Sequence, residues 1–442
     1  SVSAGWRVSQ EPFWKVPEEI FSNLKVRASY GSLGNGNIDP YSFQELFKIK
    51  QSSLVLNGIR PQYTGQPAVI PLGLTWEKST TLNLGLDFAF LSNRLQFSGD
   101  IYQRKTTDMF TVGMSLPAVF GTDVPKGNYA DLTTKGFELS VSWRDQFQLA
   151  SKPFNYEVRF TLADYQSTID KYNNPEKKLG DDYYYEGMKV GEIWGYETEG
   201  FFTSQADIDS HAKQPYFYAG ATAGQWLPGD IKFKDLNGDG VIDYGNNTVD
   251  NPGDQKIIGN SEPRFIYGIN LSGDWNNFFV SAFFQGVGKQ DWWPGSEASY
   301  FWGMYNRPYN DMPKSHLGNI WTEENPNTYF PRLRGYSSEE PYAELNLKQT
   351  RYLQNIAYIR MKNIQLGYTL PKSFISKLRM QNAKVYVSGE NLWSWSPFYK
   401  YSKDLDVEAV RGSDRDLTEG TSGNGYSYPI LKSVSFGLSV TF

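Results

Sequence analysis

Asp235, Asn237, Asp239, Gly240 and Asp243 stand in the order D-x-N-x-D-G-x-x-D. Hard cations such as Ca2+ take about six to eight oxygen ligands, and carboxylates at alternate positions of a tight loop can converge on one such ion. The spacing predicts a site in which Asp235, Asn237, Asp239 and Asp243 offer side-chain oxygens and Val241 its carbonyl. The ion would be a structural Ca2+ or Mg2+. Asn246 stands where a calcium-sensing loop has its bidentate glutamate, and no helix follows, so a regulatory sensor is excluded. The same residue types also build turns whose side chains cap backbone amides. Both readings are open on the sequence alone.

A second group is aromatic. Trp292, Trp293 and Trp302 lie in a stretch that also holds Tyr300, Tyr305, Tyr309 and Trp321. Indole faces stack on sugar rings, so the three tryptophans are candidate substrate platforms. The competing reading is loop packing, or a girdle of Trp and Tyr at membrane headgroup level. Tyr183, Tyr184 and Tyr185 form a smaller cluster with the same two readings. The acidic pairs Asp181–Asp182 and Glu339–Glu340 read as solvated loop charges.

Catalysis finds no support. With Cys 0 and only His211 and His316, thiol nucleophiles, disulfides and histidine-rich zinc sites are excluded. There is no G-x-S-x-G, H-E-x-x-H, phosphate-cradling lysine loop or dinucleotide fingerprint. The expectation is a protein that is not an enzyme.

The charge balance of 43 Lys+Arg against 48 Asp+Glu gives −5 over 442 residues, with no long basic run, which argues against nucleic acid as a partner. Mean hydropathy is −0.53, and no uncharged apolar run reaches the length of a membrane helix. Neither fact bears on a membrane barrel, whose alternating strands average out as polar.

The elements that must position these residues are strands. Leu82, Leu84, Leu86, Phe88 and Phe90 alternate with Asn83, Gly85, Asp87 and Ala89. Phe137, Leu139, Val141 and Trp143 alternate with Glu138, Ser140, Ser142 and Arg144, and Val434 to Phe442 repeats the pattern. Side chains of a strand alternate between faces, so each run has one oily and one wet side. Eleven strands are predicted, near 2–8, 24–32, 80–90, 94–105, 134–144, 154–165, 263–274, 278–286, 355–370, 383–393 and 430–442. One short helical segment is expected near 204–213.

The connections alternate strictly between short and long. The longest, 166–262 and 287–354, carry the acidic loop and the tryptophans. Short turns at one end and long loops at the other are the layout of an outer-membrane barrel. The predicted fold class is all-β: a portion of a transmembrane antiparallel β-barrel with long extracellular loops. Leu82, Leu84, Leu86, Leu139 and Val141 would face the lipid bilayer, and Asn83, Asp87, Glu138, Ser140 and Arg144 the lumen. The first and last strands run the same way, so an odd number of strands is expected to precede Ser1. The whole of 1–442 then reads as the C-terminal part of a barrel. Phe436, Leu438, Val440 and the terminal Phe442 form an amphipathic last strand of the kind that serves as a barrel assembly signal.

Several segments carry a family resemblance. They are TTLNLGLDFAFLSNRLQFSGDIYQRKTTDMF (80–110), NYADLTTKGFELSVSW (128–143), PGDIKFKDLNGDGVID (228–243) and IIGNSEPRFIYGINLSGDW (257–275). YIRMKNIQLGYTLP (358–371), VYVSGENLW (385–393) and VSFGLSVTF (434–442) continue the series. In this order and spacing they resemble the SusC/RagA family of TonB-dependent outer-membrane transporters. The resemblance implies a 22-stranded barrel, of which about eleven strands are here, in the outer membrane of a Gram-negative bacterium. It also implies a plug domain that contacts TonB and is not in this sequence, a SusD-like surface lipoprotein as partner, and active import of oligosaccharides or peptides. The alternatives are a passive porin-like channel and a soluble β-rich carbohydrate-binding protein.

Overall fold

The computed structural model describes residues 1–36, 44–65, 67, 69–70, 73–113, 119, 124–180, 183–214, 226–296, 298–309, 312–339, 343–410, 425 and 428–442. Eleven strands form one antiparallel sheet in chain order. They are β1 (Val2–Arg7), β2 (Phe21–Asn35), β3 (Glu77–Phe90), β4 (Leu95–Val112), β5 (Lys126–Leu149) and β6 (Lys152–Lys171), followed by β7 (Arg264–Trp275), β8 (Phe278–Lys289), β9 (Tyr358–Thr369), β10 (Asn382–Trp395) and β11 (Ser433–Thr441). Each predicted strand finds its counterpart. The helix is the single turn and a half at Gln205–Ser210, capped by the Ser204 side chain.

Register locks the two faces across the whole sheet. One row of directly opposed residues runs Trp6, Val26, Leu86, Gly99, Leu139, Leu162, Tyr267. The row beside it on the other face runs Lys25, Asp87, Ser98, Ser140, Thr161, Gly268, Gln285 and Arg360. The apolar face is uncovered: Leu84 is 47% exposed, Ile101 60% and Phe436 86%. Among the described residues the other sheets are two-stranded pairs, so no second layer packs on this face. On the polar face Arg27 bridges strands by pairing with Asp87 (2.7 Å) and Asp100 (2.8 Å).

Aromatic rings lie flat across glycines on neighbouring strands. Phe279 covers Gly367 and Tyr386 covers Gly437, each directly opposite its partner in register. A Cβ at either glycine would fall inside the ring, so the close approach requires glycine there.

The two ends of the sheet differ. At one end β5–β6 and β7–β8 are joined by two-residue turns, Ala150-Ser151 and Asn276-Asn277, with all four residues at positive φ. That backbone matches the twist of paired strands, and Asn tolerates it best. At the other end lie the connections 36–76, 113–125, 172–263, 290–357 and 396–432. Strands β5 and β6 run well past the predicted limits of 134–144 and 154–165 toward this end, pairing as far as Asp131 with Lys171.

The face assignment has a direct test. Arginine on the lipid side of a barrel costs about 2–4 kcal/mol at the membrane midplane and far less on the lumen side. Leu84→Arg therefore lowers the yield of heat-modifiable, membrane-inserted protein much more than Asn83→Arg. Equal yields of the two variants contradict the assignment.

Candidate functional site

The long loops build their own core at the long-loop end. Ile231, Phe233, Trp302, Tyr305, Phe330, Tyr352 and Phe398 are buried together. They come from 226–233, 290–357 and 396–410, so the core fastens three connections to one another. Trp302 is fully buried, and its Nε1 donates to the carbonyls of Pro294 (3.1 Å) and Gly295 (3.0 Å). Trp292 is buried edge-on against Phe301 and Phe398. Trp293 is half-buried, its ring edge-on to Trp302 at 6.1 Å. The three tryptophans are thus brought together, but protein covers Trp292 and Trp302. Their part in the site is to hold the loops, not to offer free stacking faces.

Buried charge ties this core further. Asp230, fully buried, accepts from Arg332 (2.8 Å) and from the buried Arg334. Glu344, also buried, accepts the Ile231 amide at 2.9 Å. Burial holds the Glu344 carboxyl above the usual range, against the pull of Arg334. Glu339 is buried rather than solvated, while Asp181, Asp182 and Glu340 lie outside the described residues. From 396–410, Asp406 and Glu408 reach the β9 wall through Arg360 and Lys362.

The Asp235–Asp243 stretch is a self-capped loop. Asp235 accepts the amides of Gly238 (2.6 Å) and Gly240 (2.9 Å). Asn237 accepts from the Asp239 amide at 2.9 Å, Asp239 from Val241 at 2.8 Å, and Asp243 from Gly245 at 2.7 Å. The fully buried Asp254 accepts from Leu236 (2.7 Å) and Asp243 (2.9 Å) and braces the loop from beneath. Burial, with a smaller contribution from the Asp235 charge, pushes the Asp254 carboxyl up, against the pull of those amides. Among the described residues, no three His, Cys, Asp or Glu side chains converge as a cation cage. As folded, the side-chain oxygens of Asp235, Asn237, Asp239 and Asp243 accept backbone amides of the loop itself. Sequence reasoning missed Asp254, which sits beyond any loop pattern and shows itself only through its burial.

A cavity between loop segments lies elsewhere. About 540 Å3 lies beside the Tyr183 region, lined by Tyr183, Tyr185, Trp194, Tyr196 and Tyr244 with Asn247, Gln255 and Asn346 at its polar positions. Its frame is the strand pair Glu192–Tyr196 with Gln255–Asn260. Tyr185 donates to Glu192 at 2.6 Å, and Trp194 Nε1 donates to the Tyr185 hydroxyl at 3.3 Å. Burial and that carboxylate push the Tyr185 hydroxyl far up, so it stays a donor at any physiological pH. Aromatic walls with a few placed amides and one carboxylate are what a polyhydroxylated ring needs. The Tyr183–Tyr185 cluster, not the tryptophans, marks this cavity in the sequence.

His316 supplies a pH probe of the loop core. Its ring is fully buried, 4.1 Å from Phe330, and Nε2 donates to the Phe301 carbonyl at 3.0 Å. Burial lowers its pKa below the ordinary value. A histidine that folds in the neutral form contributes stability above its unfolded pKa of about 6.5, and that contribution is lost as pH falls below it. Amide protection factors in 298–309 and 312–330, taken relative to intrinsic exchange at each pH, should therefore fall on acidification, and His316→Phe should flatten that dependence. An unchanged acid response in the variant removes the assignment.

Comparison with known proteins supplies the family. Residues 1–392 match the family described as TonB dependent receptor-like, beta-barrel. TonB-dependent receptor P3 of Formosa agariphila is 28% identical over 100% of this chain and 41% of its own length. TonB-dependent receptor SusC of Bacteroides thetaiotaomicron is 24% identical, again over 100% of the chain and 40% of its own length. The RagAB peptide transporter structure superposes with a TM-score of 0.71 at 20% identity, covering 100% of this chain and 43% of that one. The chain thus spans about two-fifths of the length of these relatives. The eleven-stranded meander, its bare apolar face and its one-sided loops are a portion of such a barrel with the fold seen in the RagAB structure, and the chain belongs to the TonB-dependent receptor β-barrel family, with SusC among its relatives.

Proposed function

We propose that this chain forms part of the wall and outer vestibule of an active importer in the outer membrane of a Gram-negative bacterium, one that takes up oligosaccharides. One observation carries the reading: a single sheet with an uncovered apolar face and a polar face, crowned at one end by loops with their own core. Such a sheet is unstable in water and stable between lipid and a wet lumen. The Tyr183–Tyr244 cavity favours a saccharide cargo, because its polar groups suit hydroxyls and its rings suit sugar faces. A peptide cargo is the second reading, favoured by the fold shared with the RagAB peptide transporter.

In this reading a SusD-like lipoprotein closes over the loops, and TonB acts on a plug domain to open the path. Substrate would enter past loops anchored to the wall by Arg360–Asp406 and by Lys362–Glu408. Phe436, Leu438 and Val440 put apolar side chains on the last strand and Phe442 follows it directly, where assembly machinery would read them. A Ca2+ or Mg2+ ion at Asp235, Asn237, Asp239, Val241 and Asp243 would have to share its oxygens with the amides already held there.

Uptake of labelled oligosaccharide by cells expressing the full-length protein should stop when tonB is deleted or the proton gradient collapsed. Uptake that survives both makes the protein a passive channel, and uptake of peptides alone gives the cargo to the second reading. For the acidic loop, trypsin cleavage at Lys234 and Lys256 should be as slow in chelator as in saturating Ca2+. Protection by Ca2+ restores the ion.

A further inference from the structure

We propose a second ligand site, specific for an acidic sugar, between the loops 290–357 and 396–410. It rests on the importer reading and narrows its cargo. The cavity has a volume of about 480 Å3, within the ordinary range for small ligands. Arg351 and Lys400 both line it, and no acidic residue does. Among the described residues neither cation lies within ion-pair distance of a carboxylate, in a chain whose acids outnumber its bases.

The arginine is held ready rather than adrift. Its Nε donates to the Tyr329 carbonyl at 2.9 Å and its Nη2 to the Thr328 carbonyl at 2.6 Å. Its guanidinium carbon lies 4.2 Å from the Phe201 ring centre. These contacts fix the fork, and among the described residues they give its positive charge no carboxylate counter-charge. Half-buried among rings, that charge is less screened than it would be in water. An oxyanion entering the cavity supplies the missing partner, and a fixed planar fork is the geometry that binds carboxylate or sulfate best. Lys400 Nζ, 5.4 Å from the Tyr401 ring, adds a mobile second cation.

The rest of the lining selects a sugar as the carrier of that anion. Tyr329 and Tyr401 stack at 4.3 Å, which fixes the Tyr401 plane at the wall. Ser315 and Asn319 bring a hydroxyl and an amide to the same space. Of the eight lining residues only Phe330 lacks a polar side-chain group, and it is buried. That surface answers a ring of hydroxyls and gives apolar peptide side chains no pocket of their own. The shared chemistry is a carboxylate or sulfate on a saccharide.

The test uses the purified full-length protein in detergent and calorimetry with four probes. These are a galacturonate trisaccharide, a sulfated galactose trisaccharide, the neutral galactose trisaccharide and triglutamate. At least one acidic sugar should bind about tenfold or more tighter than the neutral one, and which of the two does so separates carboxylate from sulfate. Lys400→Gln and Arg351→Gln should each lower that ratio. Lys400 is exposed, so its variant keeps the test open if Arg351→Gln fails to fold. Equal binding of acidic and neutral sugars, triglutamate binding as tightly as the acidic sugars, no binding by any probe, or an unchanged ratio in Lys400→Gln each overturns the proposal. Energised uptake is read separately: loss of its TonB dependence sinks the importer reading without touching the affinity ratio.

Discussion

The structure depends on one constraint: every strand must keep the same parity as its neighbour. Side chains alternate with a period of two, so slipping any strand by one residue would carry its polar row to the oily face. A slip of β3, for example, would put Asp87 on the oily face between Val26 and Gly99 and strand Arg27 without its partner. The cross-strand pairs that prevent this differ along the sheet. Arg27 with Asp87 and Asp100 fixes β2, β3 and β4, and rings over glycines fix β8 with β9 and β10 with β11. The ring-over-glycine pairs need the two residues directly opposite each other, whereas Arg27 stands opposite Gly85 and reaches Asp87 diagonally and Asp100 across that glycine.

The same constraint explains the division between the two ends. The two-residue turns Ala150-Ser151 and Asn276-Asn277 leave β5–β6 and β7–β8 no freedom to slide, so the short-turn end sets the register of those pairs. The long-loop end is then released from that task and can fold on its own terms. It uses a different physics, with a buried aromatic cluster and fully desolvated charges such as Asp230 between Arg332 and Arg334. Removing one partner of a buried pair strands the other, at about 3–5 kcal/mol. Asp230 therefore holds 290–357 onto the strand pair Thr198–Phe201 with Ile231–Phe233.

This division also decides what the sequence discloses. The strands are legible because alternation is a local signal that runs through every one of them, as in Leu82 to Phe90. Their outer limits are less so. Beyond Lys135, β5 has no oily face left to mark it, yet it stays paired with β6 as far as Asp131. The loops follow no period, and there residue type misleads. Trp292 and Trp302 look like exposed platforms and prove to be core, while Glu339 looks solvated and is buried. Asp254 is nineteen positions from Asp235, and only the fold brings it under the loop. The cavity lining draws on 179–196, 244–255 and 346–348, segments whose proximity is a tertiary fact.

Closure of the barrel follows from direction. Strand β1 leads into the short connection 8–20, and β11 follows the long connection 396–432, so both edge strands run toward the short-turn end. Two strands that point the same way cannot pair antiparallel. Joining these edges into a wall of alternating strands takes an odd number of further strands, and eleven plus an odd number is even, as bacterial barrels are. Left open, the outer edges of β1 and β11 would expose unpaired amides and carbonyls to hydrocarbon, which no lipid-facing sheet sustains. The eleven strands fix one polar wall with Arg27, Asp87 and Asp100 near one edge and Arg360 and Lys362 near the other.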